Sequence, residues 1–370
     1  MSAPGSYAVA EISEPDEFLS LASEWNPLLA DSACDLPFMT HDWFRLWWKH
    51  FGAGRRLSIL TARRDGRLVL AMPLMESRGR WLLAPFVTLR SLTNAHSYRY
   101  NVLLARGEEE SVRAGWNYLR RERSRPWHVL EFERFETGFP ADTELMRAAR
   151  EGGHPTGVWR GGSSPHLSLE GDWESYFASR KPKFRSNLRN RLKRLGTLGA
   201  VEYELVRERR LCGPALADAF AIEQSGWKGE EGSAIASDPV LRSFYTEWTE
   251  LAADRGMLRL WFLRLGGRRV AFEYDLEYKR DLYCLKIGYD PEFHPYSAGQ
   301  VLKAGVLERV FGTGLRGYYF LGVMDEAKGD WTSDGRPFQW AYVYGGSPVA
   351  RLHYAYKFAL KRSLKRVLGR

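Results

Sequence analysis

Apolar positions along the chain fall into two spacings. Between residues 40 and 51 (THDWFRLWWKHF), Trp43, Phe44, Trp47 and Trp48 recur at helical spacing behind Thr40, a residue type that caps helix starts, so a helix is predicted there. Residues 57–62 and 68–74 are apolar runs of strand length about Arg64-Asp65-Gly66, a hairpin signal. Residues 7–12 read as an edge strand. Further helices are expected over 108–121 and 141–150, with strands over 127–132 and near 156–160 and 166–169. A short helix starts at 173–179. Pro182 then opens a second one, where its missing N–H costs nothing; Phe184, Leu188, Leu192 and Leu195 form one stripe among Lys and Arg, and Gly196 ends it. Beyond it the α/β pattern resumes. Strands are expected over 201–206, 258–263, 270–278, 282–287, 317–320 and 338–344, with a tight turn at 279–281. Helices are expected over 214–227, 239–254, 297–311 and 351–367. The repetition is at the scale of half the chain: helices, a run of antiparallel strands, then a helix and a strand.

Length agrees with two halves, since 370 residues exceed the size at which one core keeps growing. Aromatics at 14%, with 14 Trp, argue against disorder and for well-filled cores or clefts. Cys34, Cys212 and Cys284 are too scattered for a disulfide framework or a metal pattern. They read as buried thiols in a reducing cytoplasm. The histidines show no HxxxH spacing, and no metal is expected. No run of about 18 apolar residues exists, so no transmembrane helix is expected. Residues 1–9 lack the charged and apolar regions of a secretory signal.

The net charge of +9 is concentrated. Residues 180–194 carry eight Lys/Arg and no acid, residues 351–370 carry seven and no acid, and the remainder sums to −6. Such segments meet phosphates, nucleic acid or anionic lipid. In 351–370, Leu352, Tyr356, Leu360, Leu364 and Val367 share a face among cations, which either docks on the protein or makes peripheral contact with an anionic membrane.

Four segments carry candidate chemistry. In 270–278, Glu273, Asp275 and Glu277 alternate with Phe272, Tyr274, Leu276 and Tyr278. This row is either a source of a general base beside a cleft or a solvated sheet face with Lys286 as cross-strand partner. In 288–300, two prolines and a glycine precede Ser297, Ala298, Gly299 and Gln300, which open a helix. Its first N–H groups and dipole form an anion site that small residues leave approachable; an ordinary Ser-capped helix is the alternative. Glu223, Trp227, Lys228 and several glycines crowd a helix end, where a glycine cap with a Trp anchor accounts for them equally. Asp325, Glu326 and Lys328 follow a strand, in a functional or a merely solvated loop. No GxSxG, Walker-type loop or helix-opening GxGxxG occurs.

Taken together, the basic stretch 180–192, Glu223 with Gly226-Trp-Lys-Gly229 and Gly232, and Tyr289-Asp-Pro-Glu-Phe with Tyr296-Ser-Ala-Gly299 and Phe320-Leu-Gly322 with Lys328 resemble the GNAT-like family around the cellulose-biosynthesis CelD/BcsL proteins. These are relatives of the FemAB/FemX transferases, which repeat the GNAT fold twice. The likeness spans most of 175–335 and is looser in the first half, where it rests on Phe38-Met39, Trp43 and Trp47. The chain departs from the family at Ala298, Tyr319 and Ala327. The resemblance implies an α/β (α+β) fold of two GNAT-like domains, each a mixed, mostly antiparallel sheet flanked by helices. They are expected at 1–170 and 200–370, joined by a basic helical linker at 171–199.

It further implies acyl transfer from acyl-CoA, acetyl-CoA being the simplest co-substrate, to an amine or hydroxyl of a small-molecule or saccharide acceptor. The donor would lie where strands 282–287 and 317–320 splay. Lys286, Ile287, Gly288, Ser297, Ala298, Gly299 and Gln300 would hold it. Glu223, Asp275 or Glu273 would be the base, and Tyr296 would protonate the leaving thiolate. Trp227, Lys228, Asp325 and Lys328 would meet the acceptor. Two alternatives stand beside this: a FemAB-like transferase using aminoacyl-tRNA, whose phosphates the basic helix would meet, and a non-catalytic GNAT-fold binding protein.

Overall fold

A computed structural model describes residues 6–226 and 234–360. The chain forms two compact units, Ser163–Arg336 and, on either side of it in sequence, Met1–Gly162 with Pro337–Arg370. The expected boundaries at 1–170, 171–199 and 200–370 differ from this division. The basic helix is no separate linker but part of the second unit, because Phe184, Leu188 and Leu195 sit in that unit's core. Residues from Pro337 return to the first unit, because residues 338–344 pair with one of its strands.

The first unit is built on β1 (Tyr7–Ile12), β2 (Arg56–Arg64), β3 (Arg67–Trp81), β4 (Ala84–Ser91), β5 (Leu103–Leu104) and β6 (Val129–Glu136). Strands β1 to β4 are successive antiparallel neighbours, β5 sits beside β3, and β6 runs parallel to β4. Residues 338–344 then pair antiparallel with β6. The β2–β3 hairpin turns at Asp65 and Gly66, both in the left-handed region (φ 50° and 81°), as the turn signal required. The helix His41–Phe51 is capped as read from sequence: Thr40 Oγ1 accepts from Trp43 N–H at 3.2 Å. Helices Glu110–Asn117 and Pro140–Glu151 follow, the former continued by a wider turn at Tyr118–Glu122.

The second unit holds the end of β7 (Thr156–Ser168), then β8 (Val201–Val206), β9 (Leu258–Leu265), β10 (Arg268–Tyr278), β11 (Asp281–Tyr289) and β12 (Gly317–Tyr319). Strands β8 to β11 are antiparallel neighbours, β12 is parallel to β11, and β7 closes antiparallel on β12. The strands expected near 156–160 and 166–169 are one, β7. Helices Arg209–Ser225, Pro239–Asp254 and Ala298–Val310 flank the sheet. The first begins five residues ahead of Pro214, which the sequence reading took as its start. All three cysteines are buried and free. No described helix is long and apolar enough to cross a membrane.

Candidate active site

Strands β11 and β12 pair over only three positions, Asp281↔Gly317, Leu282↔Tyr318 and Tyr283↔Tyr319, after which β12 ends and β11 runs on to Tyr289. Beyond these three positions the two strands are no longer paired. The chain between them supplies the helix Ala298–Val310. Ser297, its first flanking residue, adopts φ 49°, ψ 51°, and its side chain makes no capping bond. The alternative of an ordinary Ser-capped start is thus not what forms. A left-handed residue cannot hold the extended geometry from which a hydroxyl reaches N2 or N3. Instead the Ser297 carbonyl accepts from the N–H groups of Gln300 (2.9 Å) and Val301 (3.1 Å). The first two N–H groups, of Ala298 and Gly299, have no helical acceptor by position. No acid sits in this first turn.

The neighbouring side chains are close. A Cβ on Gly299 would lie 3.3 Å from the Tyr289 ring, and one on Gly288 would lie 2.5 Å from the Phe272 ring. At Gly288 a side chain would have to displace the Phe272 ring, whereas at Gly299 the contact is only tight. Gln300 does not turn its side chain to a donor: its Oε1 accepts from the Trp331 indole at 2.8 Å. Tyr296 is half-buried with the Arg194 guanidinium 5.1 Å above its ring. Lys286 lies opposite Tyr274 and stands over the Tyr245 ring, so it is not the cross-strand partner of the acidic row. Ile287 is at the surface.

The acidic row is no solvated face. Glu273 and Asp275 have no exposed surface, because they point under the helix Ala298–Val310 rather than outward. Lys303 on that helix reaches Glu273 Oε1 at 2.7 Å and Cys284 Sγ at 3.4 Å. Tyr318 donates to Glu273 and accepts from Lys303. Burial drives the Asp275 carboxyl well above its ordinary value, helped by the Glu273 charge beside it and opposed by Lys303. Burial also opposes the Lys303 ammonium, but the thiol and the two carboxyls outweigh it and its pKa is raised. Glu273, Asp275 and Cys284 bring ligand atoms within 4.8 Å of one another, a spacing fit for a metal ion. The cation placed among them is the Lys303 ammonium. Glu277 lies outside this group and pairs with Arg259 at 2.9 Å.

The remaining candidates have structural partners. Glu223, buried in the last turn of Arg209–Ser225, accepts the Ile235 N–H at 2.9 Å and so ties together the two ends of the segment 227–233. Trp227 and Lys228 lie outside the described residues. Asp325 caps the short helix Glu326–Gly329 through Lys328 N–H (2.9 Å), and the Lys328 ammonium returns to Asp325 Oδ2 at 3.0 Å. Glu223, the Glu273–Asp275 pair and Asp325–Lys328 therefore occupy three separate settings. Sequence reasoning missed Lys303 and Tyr318. The signal was present: Lys303 is the one cation in the helical stretch 298–307 whose other residues are small, apolar or amide.

The comparisons with known proteins agree with this architecture. Residues 182–331 match the family model described as an acetyltransferase (GNAT) domain. A search of curated proteins returns no sequence match. Among solved structures the chain is similar to FemX (TM-score 0.59, 11% identity, 94% of this chain and 100% of that one). It is also similar to L-PGS from Bacillus licheniformis (0.53, 12%, 96% and 99%) and to a tandem GNAT protein from the clavulanic acid biosynthesis pathway (0.50, 14%, 92% and 99%). The fold is that of two GNAT-like domains. That match lies within the second unit, and the chain is an enzyme of the acyltransferase class.

Proposed function

We propose that the second unit transfers an acyl group, acetyl in the simplest case, from acyl-CoA to an amine or hydroxyl acceptor. The observation that carries this reading is the parting of β11 from β12 beyond Tyr283/Tyr319, next to a helix whose first turn is small and uncharged. In this reading the gap takes an extended thioester arm. The Ala298 and Gly299 N–H groups and the helix dipole suit a pyrophosphate, and no carboxylate opposes it. Arg194, over Tyr296, adds a cation near that helix start. Ser297, by its carbonyl, and Gln300, by its hold on Trp331, shape the turn.

Of the three candidate bases Glu223, itself buried and bonded to the Ile235 N–H, is retained for its place at a helix end. Glu273 and Asp275 are sealed beneath the helix, out of reach of any acceptor in this conformation. Tyr296 as the acid for the thiolate, and Lys286, Ile287, Gly288, Trp227, Lys228, Asp325 and Lys328 as donor or acceptor contacts, belong to the same proposal. A saccharide or cell-envelope precursor, as in the CelD/BcsL-like resemblance, is the acceptor class proposed, in a cytoplasmic setting.

A second reading, aminoacyl transfer from tRNA, is favoured by the basic helix Pro182–Gly196 and by the likeness to FemX. Calorimetric titration with acetyl-CoA separates the two. The expected result is saturable binding, weakened at least 100-fold in Gly299→Glu while the thermal midpoint shows the variant folded. Absence of heat with the wild-type protein at millimolar acetyl-CoA would remove this donor.

A further inference from the structure

The helix Pro182–Gly196 buries Phe184, Leu188 and Leu195 and leaves a row of cations outside. Lys181, Lys183, Arg185, Arg189, Arg191, Lys193 and Arg194 make no ion pair with an acid among the described residues. Their contacts are of other kinds: Arg185 Nε donates to the Arg180 carbonyl at 3.1 Å, and Arg189 lies over the Phe177 ring at 5.5 Å. Elsewhere in the same unit several guanidinium groups are paired with acids, as Arg269 is with Glu204 and Asp218, while others, such as Arg280 on the Gly314 carbonyl, are not. Cations left without acids repel one another, and an external anion would relieve that repulsion.

Two apolar features lie beside Arg185 and Arg189 of this group. Leu192 is 42% exposed on the helix and Leu198 is 50% exposed just past its end. Beside them opens a pocket of about 330 Å³ between this helix, the short helix Trp173–Ala178 and Ala298–Val310. Phe177, Leu188, Tyr203 and Val301 give it an apolar lining, Arg185 and Arg189 lie on its edge, and Glu174 and Glu308 also border it. Its width depends on Gly305, where a Cβ would meet the Tyr203 ring at 1.9 Å. Single-stranded nucleic acid calls for exposed aromatic faces on which bases stack. The aromatics here are otherwise engaged: Trp173 stacks on Phe177, with centroids 4.9 Å apart. Cations beside exposed leucines are the pattern of a helix lying in a membrane interface.

We propose that this face docks on an anionic bilayer, with the basic row on the lipid head groups, Leu192 and Leu198 in the interface, and one lipid chain in the pocket. Apart from Arg194, which lies over Tyr296 beside the donor helix start, the docking residues are separate from the donor site. It would hold the second unit at a surface where a lipid-linked acceptor is presented.

The test is co-sedimentation of the full-length protein with vesicles of phosphatidylcholine alone or mixed with phosphatidylglycerol. The variants are Arg185→Glu/Arg189→Glu, Leu192→Glu, Leu198→Glu and Ala304→Trp, the last filling the pocket without changing charge. Wild-type protein is expected to partition at least tenfold better onto the anionic vesicles, in a salt-dependent manner. The double arginine variant should lose about tenfold or more. Leu192→Glu, Leu198→Glu and Ala304→Trp should each lose severalfold, while acetyl-CoA titration of the same variants stays unchanged. Leu198→Glu, at an exposed position, keeps the test decisive should Ala304→Trp not fold. Equal binding to both vesicle types would overturn the proposal, as would full anionic-vesicle binding by every variant or capture of an RNA oligonucleotide with no vesicle binding.

Discussion

Both units lay down four antiparallel strands and then a parallel pair joined through a helix, yet they finish that pair differently. In the first unit β4 and β6 pair over Thr88↔Val129 to Arg90↔Glu131, and the gap beyond is bridged at once. The Ser91 hydroxyl accepts the Glu133 N–H at 3.1 Å, and Arg90 reaches Glu133 at 2.7 Å. The connecting helix starts at Glu110, behind Glu108 and Glu109. Glu108 is already committed to the Tyr7 hydroxyl, Arg64 and Arg67. In the second unit the helix starts with Ala298, Gly299 and Gln300 and carries no acid there. The same skeleton thus gives one helix start that supplies its own anions and one that is left for another. Carboxylates at a helix N-terminus satisfy the dipole from within the chain, and they repel a phosphate.

The units also bury charge differently, and the largest predicted effect exploits this. Glu76 in the first unit is held by three guanidinium groups, of Arg78 (2.8 Å), Arg123 (2.8 Å) and Arg125 (3.2 Å). Glu273 and Asp275 in the second share one ammonium. Lys303→Met is therefore expected to cost about 3–5 kcal/mol, because two buried acids lose their cation. Arg123→Met should cost about 2 kcal/mol, since two arginines remain on Glu76. Urea unfolding at neutral pH measures both, and equal losses would erase the distinction.

The pH dependence has opposite signs in the two clusters. Burial opposes the Glu76 charge, but bonds from Arg125, Arg123 and Arg78 outweigh it and bring its pKa to about 2. Its contribution is present above the ordinary carboxylate pKa and is lost as pH falls toward 2. The Asp275 pKa is raised, so its contribution is full below the ordinary value and declines as pH rises toward the folded one. Glu76→Gln should thus lower stability at pH 7 by about 2–3 kcal/mol and leave it unchanged near pH 2. Asp275→Asn should raise stability at pH 7 relative to pH 4. Stability profiles of both variants check the crossing signs.

Gln300→Glu copies the first unit's helix start into the second while keeping an acceptor for the Trp331 indole. Acetyl-CoA affinity should weaken about tenfold in calorimetry, whereas Glu109→Gln/Glu110→Gln should leave affinity and stoichiometry unchanged. The smallest effect concerns glycines in the two connecting helices. A Cβ at Gly305 would collide with the Tyr203 ring at 1.9 Å, while one at Gly115 would touch Leu60 and Leu70 methyls at 3.1 and 3.2 Å. Gly305→Ala should lose about 1 kcal/mol and Gly115→Ala about none, its helix propensity offsetting the contact. Denaturation midpoints would show whether the close approach is peculiar to the second unit.

Much of this was readable along the chain. The spacing of Trp43, Phe44 and Trp47 behind Thr40 and the Asp65-Gly66 turn each named an element that folds as expected. Strand β4 was not readable, since Leu82 takes φ 53° in a turn without glycine, asparagine or aspartate, and Pro85 breaks the pattern of the strand that follows. The acidic row at Glu273 and Asp275 was visible, but read as either a base beside a cleft or a solvated face, not as a buried group paired with a lysine. Period 2 tells which residues share a face, and says nothing about what covers that face.

What the sequence determined by itself was therefore local: helix stripes, the 279–281 turn, small residues after Ser297, and basicity confined to two segments. These follow from neighbours within a few positions, where backbone geometry decides the outcome. Only the tertiary structure decided that Lys303 meets Glu273 across 30 positions, that Glu223 bonds Ile235 across 12, and that residues 338–344 rejoin the first unit. It also decided that β11 and β12 part after three pairs. Such contacts depend on how elements pack, and no periodicity in the chain encodes which buried charge will find which partner.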